Sequence, residues 1–92
     1  MAKVLWSKKA KETLLDCYDF IAEDSNSRAQ KWSDKVIEST KNLEVFPEIG
    51  VLDSPLGLKN IRKLVLGDYI LRYEFDGEDV LILSIKHAST FK

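Results

Sequence analysis

The stretch IRKLVLGDYILRYEFDGEDVLILSIKH, from Ile61 to His87, decides the fold because it contains three strand-like runs separated by short turns. The runs are Ile61 to Leu66, Tyr69 to Phe75 and Val80 to Lys86. Between them stand Gly67-Asp68 and Asp76-Gly77-Glu78-Asp79, which are rich in the residues that turns prefer. Runs joined by such short turns predict consecutive antiparallel hairpins.

The middle run alternates between two faces of a strand, because side chains at every second position point the same way. Tyr69, Leu71, Tyr73 and Phe75 share one face, which is most simply core, and Arg72 lies on the other beside Glu74. We consider two interpretations of Arg72: a solvent-facing residue of the sheet, or part of a surface that meets a partner. The third run is the most apolar, which predicts a central strand covered on both faces.

The first half of the chain carries one short strand and two helices. Lys3 to Trp6 is a strand-like run, and Ser7 follows it as a candidate N-cap. Apolar residues at steps of three and four then predict a helix from Lys8 to about Asp24 and a second from Arg28 to about Val45. The predicted stripes are Ala10, Leu14, Leu15, Tyr18, Ile21 and Ala22, then Ala29, Trp32, Val36, Ile37, Thr40 and Leu43.

Breaks in these patterns give the boundaries. Ser27 with Gln30 matches a capping box for the second helix, and Pro47 ends that helix. Glu48 to Asn60 has no periodicity and is predicted to be a loop.

The order strand, helix, helix and three strands predicts an α+β fold, with a small antiparallel sheet packed against an N-terminal helical hairpin. Residues 1–92 are expected to form a single domain. If the first strand lies parallel beside a later one, the two helices form the crossover between them.

Composition excludes several kinds of site. One cysteine, Cys17, cannot form an internal disulfide, and one cysteine with one histidine cannot supply the four ligands of a usual zinc site. We expect Cys17 to be a buried or half-buried structural thiol. No apolar run is long enough to span a bilayer and no signal peptide is evident, so a cytoplasmic protein is expected. A net charge of −1 gives little support to nucleic-acid binding.

Three stretches together resemble the RelE/ParE superfamily of toxins from bacterial type II toxin–antitoxin systems, and the closest likeness is to ParE-like members. They are VLWSKKAKETLLDCYDFIAEDS, LEVFPEIG and IRKLVLGDYILRYEFDGEDVLILSIKHAS. The resemblance covers nearly the whole chain and rests on the order and spacing of the stretches. It implies the RelE/ParE fold and one of two activities: ribosome-dependent mRNA cleavage, as in RelE-like members, or inhibition of DNA gyrase, as in ParE-like members.

Ribonuclease chemistry without a metal needs a base, an acid and cations around one phosphate. RelE-like sites resemble clusters of Arg, Lys, Glu, His and Tyr, and only a partial set is present here. The catalytic candidates for that alternative are Arg62, Arg72, Lys86, His87 and Glu48. We therefore expect a gyrase-directed toxin that acts by binding. A ribonuclease that acts on ribosome-bound mRNA and an inactive toxin-fold protein that only binds antitoxin are the alternatives.

The resemblance also implies a cognate antitoxin as partner, in a toxin–antitoxin hetero-oligomer, with no cofactor and no metal. An open sheet edge accepts an added strand, and cations on the sheet attract an acidic segment. The predicted partner-binding residues are Arg62, Lys63, Arg72, Lys86 and His87. Arg62 alternatively pairs with Asp68 or Glu74, and His87 alternatively is a structural residue held by one hydrogen bond.

Overall fold

A computed structural model describes residues 1–53 and 60–91 of the chain. Its elements follow the predicted order, with one additional short strand. They are β1 (Val4–Trp6), α1 (Lys8–Asp24), α2 (Asn26–Val45), β2 (Val51–Leu52), β3 (Ile61–Leu66), β4 (Tyr69–Phe75), β5 (Val80–His87) and a 3₁₀ turn (Ala88–Phe91).

Serine hydroxyls fix where both helices begin. Ser7 accepts the N–H of Ala10 at 2.9 Å and caps α1, as the sequence predicted. At the second helix the predicted cap, Ser27, is wrong: Ser25 accepts the N–H of Arg28 at 3.1 Å, and Ser27 lies inside α2. Ser25 also donates its own N–H to Ile21, so one extended residue ends α1 and starts α2. The hairpin connection is therefore shorter than predicted, and α2 begins at Asn26.

The five strands form one mixed sheet in the order β1-β5-β4-β3-β2. The pairs β2–β3, β3–β4 and β4–β5 are antiparallel, which confirms the hairpins. Strand β1 lies parallel to β5, with Val4 beside Val80, so the helices form the crossover that a parallel first strand requires.

Strand β2 corrects the prediction of an unbroken loop from Glu48 to Asn60. Val51 pairs with Lys63 and Leu52 with Arg62, so two residues of that segment belong to the sheet. A run this short carries no detectable alternation, which is why periodicity missed it. Residues 54–59 of the predicted loop lie outside the described part of the chain.

A bulge explains the long apolar run of β5. Tyr73 pairs with Ile82 and Arg72 with Ser84, so Leu83 is an extra residue in the ladder. The extra residue changes the alternation, and Val80, Ile82 and Ile85 consequently share a face with Phe75, Tyr73 and Leu71. Strand β5 is an interior strand, as predicted, but the prediction that both of its faces are covered is wrong, because both helices pack on this one face of the sheet.

The core lies between that face and the two helices. Leu71, Tyr73, Val80, Ile82 and Ile85 of the sheet are fully buried. The helices and the start of β4 supply further core residues: Ala10, Trp32, Val36, Leu43 and Tyr69.

The prediction that Leu15 and Ile37 belong to the buried stripes is wrong, since 61% and 51% of their surfaces are exposed. Each follows a residue that is packed in the core, Leu14 or Val36. Consecutive helical residues point about 100° apart, so only one of each pair faces the sheet.

Neither described helix combines the length and apolar composition that a membrane crossing needs.

Candidate functional site

Three of the predicted partner-binding cations share the sheet face that is turned away from the helices. Lys63 lies directly across from Arg72, and Lys86 lies across from Ile70, two residues before Arg72 on the same strand. Directly opposed residues and residues two apart on a strand share a face. We call this surface the outer face, and it places Lys63, Arg72 and Lys86 together.

Arg72 is not simply a solvent-facing residue of the sheet, because it pairs with Asp53. Its Nε atom lies 2.8 Å from Oδ2 of Asp53, and both side chains are more than two-thirds buried. The Nε group makes no well-directed hydrogen bond with any described residue, so the contact is an ion pair that depends on proximity. Because Asp53 immediately follows β2, this ion pair fastens the end of β2 across β3 to β4.

Arg62 lies on the helix-side face, opposite Leu52 and Tyr73, and is thus separated from Arg72 by the sheet. Its Nη1 donates to the carbonyl oxygens of Glu48 at 3.1 Å and Gly50 at 2.8 Å. Its Nη2 lies 3.5 Å from the Glu48 carboxylate. The predicted pairing of Arg62 with Asp68 or Glu74 is therefore wrong, and Arg62 instead holds the segment that follows α2.

Tyr73 of β4 holds the same segment from the sheet. Its hydroxyl donates to the carbonyl oxygen of Pro47 at 2.7 Å and accepts the N–H of Gly50 at 2.9 Å. A Cβ on Gly50 would lie 2.7 Å from that hydroxyl, so only glycine fits this close approach. Burial raises the pKa of Tyr73, although the Gly50 N–H and the Arg62 charge act in the opposite direction. The hydroxyl therefore stays protonated and bridges two backbone groups.

His87 lies at the other end of the same face, opposite Tyr69. The two rings meet edge to face, with centroids 5.2 Å apart. The His87 Nδ1 atom lies 2.8 Å from Ser89 Oγ and accepts the Ser89 N–H at 3.2 Å. Since Nδ1 is an acceptor, the proton of the neutral ring is assigned to Nε2. This ring is thus held by the turn that follows β5.

A groove of about 660 Å³ adjoins His87, between α1 and the ends of β4 and β5, with Thr13, Cys17, Phe20, Tyr69 and Lys86 in its lining. The Cys17 thiol is half-buried, as predicted, and lies 3.5 Å from the carbonyl oxygen of Ile85. Burial, together with the charge of Asp16, raises the pKa of Cys17. A thiol that stays protonated is a poor nucleophile, so the groove offers a binding surface rather than cysteine chemistry.

The five ribonuclease candidates do not meet at one point. Arg62 and Glu48 are together near Tyr73, whereas His87 lies opposite Tyr69, four residues away along β4. At about 3.3 Å per residue this separation is about 13 Å, while an acid or base must approach its reacting atom within hydrogen-bonding distance. Arg72 and Lys86 lie on the outer face. Among the described residues, no three His, Cys, Asp or Glu side chains converge to hold a metal ion.

One exposed apolar surface was not predicted from the sequence. We call it the apolar knuckle, and its residues are Val45, Phe46, Ile49, Val51 and Leu52. Each of these side chains is 55% to 67% exposed, although all fall within eight consecutive residues. The available signal was the apolar density of VFPEIGVL, which is unusual for a loop. Without periodicity, these residues predict only a helix end and an irregular segment.

Comparison with known proteins gives a family and a fold. The family model described as the ParE toxin of type II toxin-antitoxin system, parDE, matches residues 4–90. A solved structure titled "Chromosomal ParDE TA system from P. aeruginosa" contains a similar chain, with a TM-score of 0.75 and 22% identity. That match covers 95% of this chain and 96% of the other, and at this identity it shows the shared fold alone. Among curated proteins, none matches the chain.

Proposed function

Because this chain belongs to the ParE toxin family of type II toxin–antitoxin systems, we propose that it is a toxin that inhibits DNA gyrase in the cytoplasm and is neutralised by a cognate antitoxin. The observation that carries the proposal is the family match, which extends over residues 4–90 and thus over both described α-helices, the five described strands and all but the last residue of the 3₁₀ turn. The fold is shared by toxins with different activities, so the choice among activities depends on the site.

The arrangement of charged residues favours action by binding. Hydrolysis of RNA without a metal needs an acid, a base and cations around one phosphate. Here Arg62 is engaged with Glu48 and two backbone carbonyl groups, about 13 Å along the sheet from His87. A net charge of −1 also gives little of the field that draws a protein to ribosomal RNA. Gyrase would carry out the chemistry, and the toxin would hold it in a harmful state.

The outer face is the surface that we assign to recognition of a macromolecule. It carries Lys63, Arg72 and Lys86 on neighbouring strands, with the exposed Val65 two residues after Lys63 on the same face. Cations beside apolar residues suit an acidic partner, because charge guides the encounter and apolar burial supplies affinity. Arg62 and His87 also belong to the predicted partner-binding set, but they lie on the helix-side face.

The first test is brief induction of the chain alone in bacteria. We expect growth arrest, a DNA-damage response and intact mRNA, and we expect purified gyrase to accumulate cleaved DNA when the protein is added. Cleavage of mRNA on ribosomes without DNA damage would replace this proposal with the ribonuclease alternative. Absence of any phenotype, with antitoxin binding retained, would leave the inactive binding protein.

A paired set of charge reversals tests the outer face within the same assay. Lys63→Glu with Lys86→Glu should lower gyrase inhibition by roughly tenfold or more, since two favourable contacts become repulsive. The matched control is Lys9→Glu with Lys11→Glu, which reverses two exposed charges on α1. Equal inhibition by both variants, with both folded, would remove the outer face from the gyrase-binding surface.

A further inference from the structure

The apolar knuckle differs from the other exposed apolar residues in being concentrated within eight consecutive residues. Apart from Met1, the other large apolar side chains that are exposed in the described residues lie singly or in pairs on four elements: Leu5, Leu15, Phe20, Ile37 and Val65. Scattered exposure of this kind is normal on a folded protein. Three of the knuckle side chains, Val45, Phe46 and Ile49, line one pocket, and Val51 and Leu52 extend the exposed apolar surface onto the two faces of the adjoining strand. Exposed apolar patches of this kind mark interaction sites.

The knuckle is also held in place by hydrogen bonds from several directions. The Phe46 N–H donates to the backbone carbonyl oxygen of Asn42 at 2.7 Å, and the Ile49 N–H donates to that of Phe46 at 3.1 Å. From the sheet, the Tyr73 hydroxyl bridges Pro47 and Gly50, and Arg62 donates to two carbonyl groups of the same segment. A loose loop could cover its apolar side chains by collapsing, but this one is fixed with them exposed. Binding to a fixed surface costs little ordering entropy.

The knuckle ends at an edge of the sheet. Strand β2 has β3 as its neighbour in the described sheet, and it is the last strand on that side. The Asp53 N–H donates to Ile61 at 2.8 Å, and antiparallel bonding alternates along a strand. The N–H and C=O of Leu52 therefore point away from β3. An extended segment added beside β2 gains hydrogen bonds at this residue, and most of its affinity must come from the apolar side chains.

Strand β3, which pairs with the edge strand β2, carries one cation on each face of the sheet. Lys63 lies across from Val51 on the outer face, and Arg62 lies across from Leu52 on the helix-side face. Lys63 has no ion-pair partner among residues 1–53 and 60–91, whereas Arg62 is paired with Glu48. An added strand would lie about 10 Å from β3. At that distance an attraction to Lys63 is partly screened by salt, so it favours one orientation of the segment more than it adds affinity.

We infer that the apolar knuckle and the β2 edge form a preformed docking surface for an extended apolar segment of the antitoxin that carries an adjacent Asp or Glu. This inference rests on the proposed function, because it takes the antitoxin as the occupant. Tyr73 and Arg62 act as positioning residues: they do not meet the segment but hold the backbone that presents Phe46 and Ile49. Arg72 and Lys86 of the outer face remain available for the toxic target, so neutralisation and toxicity share Lys63 but otherwise use different residues.

The experiment compares two phenylalanines of nearly equal exposure. Phe46 in the knuckle is 62% exposed, and Phe20 in the groove beside α1 is 64% exposed. Each is changed to Gln in the full chain, and affinity is measured for the purified product of the reading frame that adjoins the toxin's own. Phe46→Gln should weaken binding by about tenfold to a hundredfold, since a buried aromatic contact is lost. Phe20→Gln should change it less than about threefold.

Growth arrest separates this inference from the proposed function. Phe46→Gln expressed alone should arrest growth as wild type does, but the antitoxin should no longer rescue the cells. A second pair, Ile49→Gln against Ile37→Gln, should behave in the same way, because Ile49 and Ile37 are 57% and 51% exposed. Both pairs replace side chains that are more than half exposed, and circular dichroism verifies the fold of each variant.

Three results would overturn the inference alone, and a fourth would overturn the proposed function as well. Unchanged antitoxin binding by both knuckle variants would do so, and so would weakened binding by Phe20→Gln alone, which would move the docking site to the groove. Loss of growth arrest with antitoxin binding retained would assign the knuckle to the toxic target instead. Failure of the wild-type chain to arrest growth or to bind the antitoxin would refute the proposed function, and this inference with it.

Discussion

Tyr73 combines two roles that a sequence pattern does not distinguish. Its ring is fully buried in the stripe predicted for β4, while its hydroxyl bridges Pro47 and Gly50, more than twenty residues earlier in the chain. Arg62 behaves similarly, since its guanidinium donates to two backbone carbonyl oxygens and forms an ion pair with Glu48. Alternation along a strand predicts which face a side chain takes. Alternation does not predict which group the polar end of that side chain contacts.

The Tyr73 hydroxyl should contribute to the stability of the fold. Tyr73→Phe leaves the ring in the core but removes both hydrogen bonds, so a carbonyl group and an N–H lose their partner. We expect the free energy of unfolding to fall by about 1–3 kcal/mol, measured by urea denaturation.

The matched control is Tyr18→Phe, which removes a hydroxyl with no hydrogen bond among the described residues and should change stability by less than about 0.5 kcal/mol. Equal effects of the two substitutions would show that the Tyr73 bridge contributes nothing to stability.

At the scale of elements, β4 and β5 are joined by a turn that one carboxylate organises. Asp76 accepts the N–H of Asp79 at 2.7 Å and of Glu78 at 2.8 Å, while Gly77 takes the left-handed conformation with φ of 99°. The sequence predicted this turn because Asp and Gly supply these two features. The hydrogen bonds from Asp79 and Glu78 lower the pKa of Asp76 below its ordinary value.

This shift makes a pH-dependent prediction for Asp76→Asn. A carboxyl group whose pKa is lowered by folding stabilises the folded state fully above its unfolded pKa of about 3.9. The contribution is lost as pH falls through the folded pKa. The variant should therefore be less stable than wild type at neutral pH, and the gap should close in acid.

Unfolding in urea at about pH 7 and about pH 2.5 measures that gap. Glu78→Gln is the control, because Glu78 is an exposed neighbour whose side chain makes no hydrogen bond among the described residues. A gap between wild type and Asp76→Asn that stayed constant in acid would contradict the role given to the carboxylate.

The helices show where an element-scale pattern stops being decisive. Leu14 and Leu15 are both apolar, as are Val36 and Ile37, and either member of each pair fits a stripe of steps of three and four. The sheet buries Leu14 and Val36, and it leaves the other two exposed. Small differences in helix rotation decide between neighbours 100° apart, and packing against the sheet sets that rotation.

At the scale of the molecule, one residue joins the start of the chain to its last strand. The Ser7 N–H donates to Ile82 at 3.0 Å, which continues the parallel pairing of β1 and β5. Its hydroxyl accepts from Ala10 at 2.9 Å and donates to the bulged Leu83 at 3.3 Å. The crossover, the cap of α1 and the bulge of β5 therefore meet at Ser7.

This position of Ser7 predicts a cost for the loss of its hydroxyl. Ser7→Ala should lower the free energy of unfolding by about 1–2 kcal/mol, because it removes a helix cap and leaves the Leu83 carbonyl without that donor. Ser25→Ala, which loses only an exposed cap, should cost about 0.5–1 kcal/mol. Thermal and urea unfolding of the two variants give the comparison. A cost for Ser25→Ala that equals or exceeds that for Ser7→Ala would show that the bond to β5 adds nothing.

The sequence by itself determined what depends on neighbouring residues. It gave the order of the main elements, the two β turns, the cap at Ser7, the buried face of β4 and the resemblance to the toxin family, because spacing along the chain carries each of these. It did not place Arg62 with Glu48, or Arg72 with Asp53.

Only the tertiary structure decided which distant residues meet. The bulge at Leu83, the choice between Leu14 and Leu15, and the exposed position of Phe46 all depend on strand register and on the space left by packed neighbours. Periodicity fixes the direction of a side chain relative to its own element, whereas a contact also needs a second element at a set distance and angle. That relation arises when the chain packs, and it decides which surface remains open to a partner.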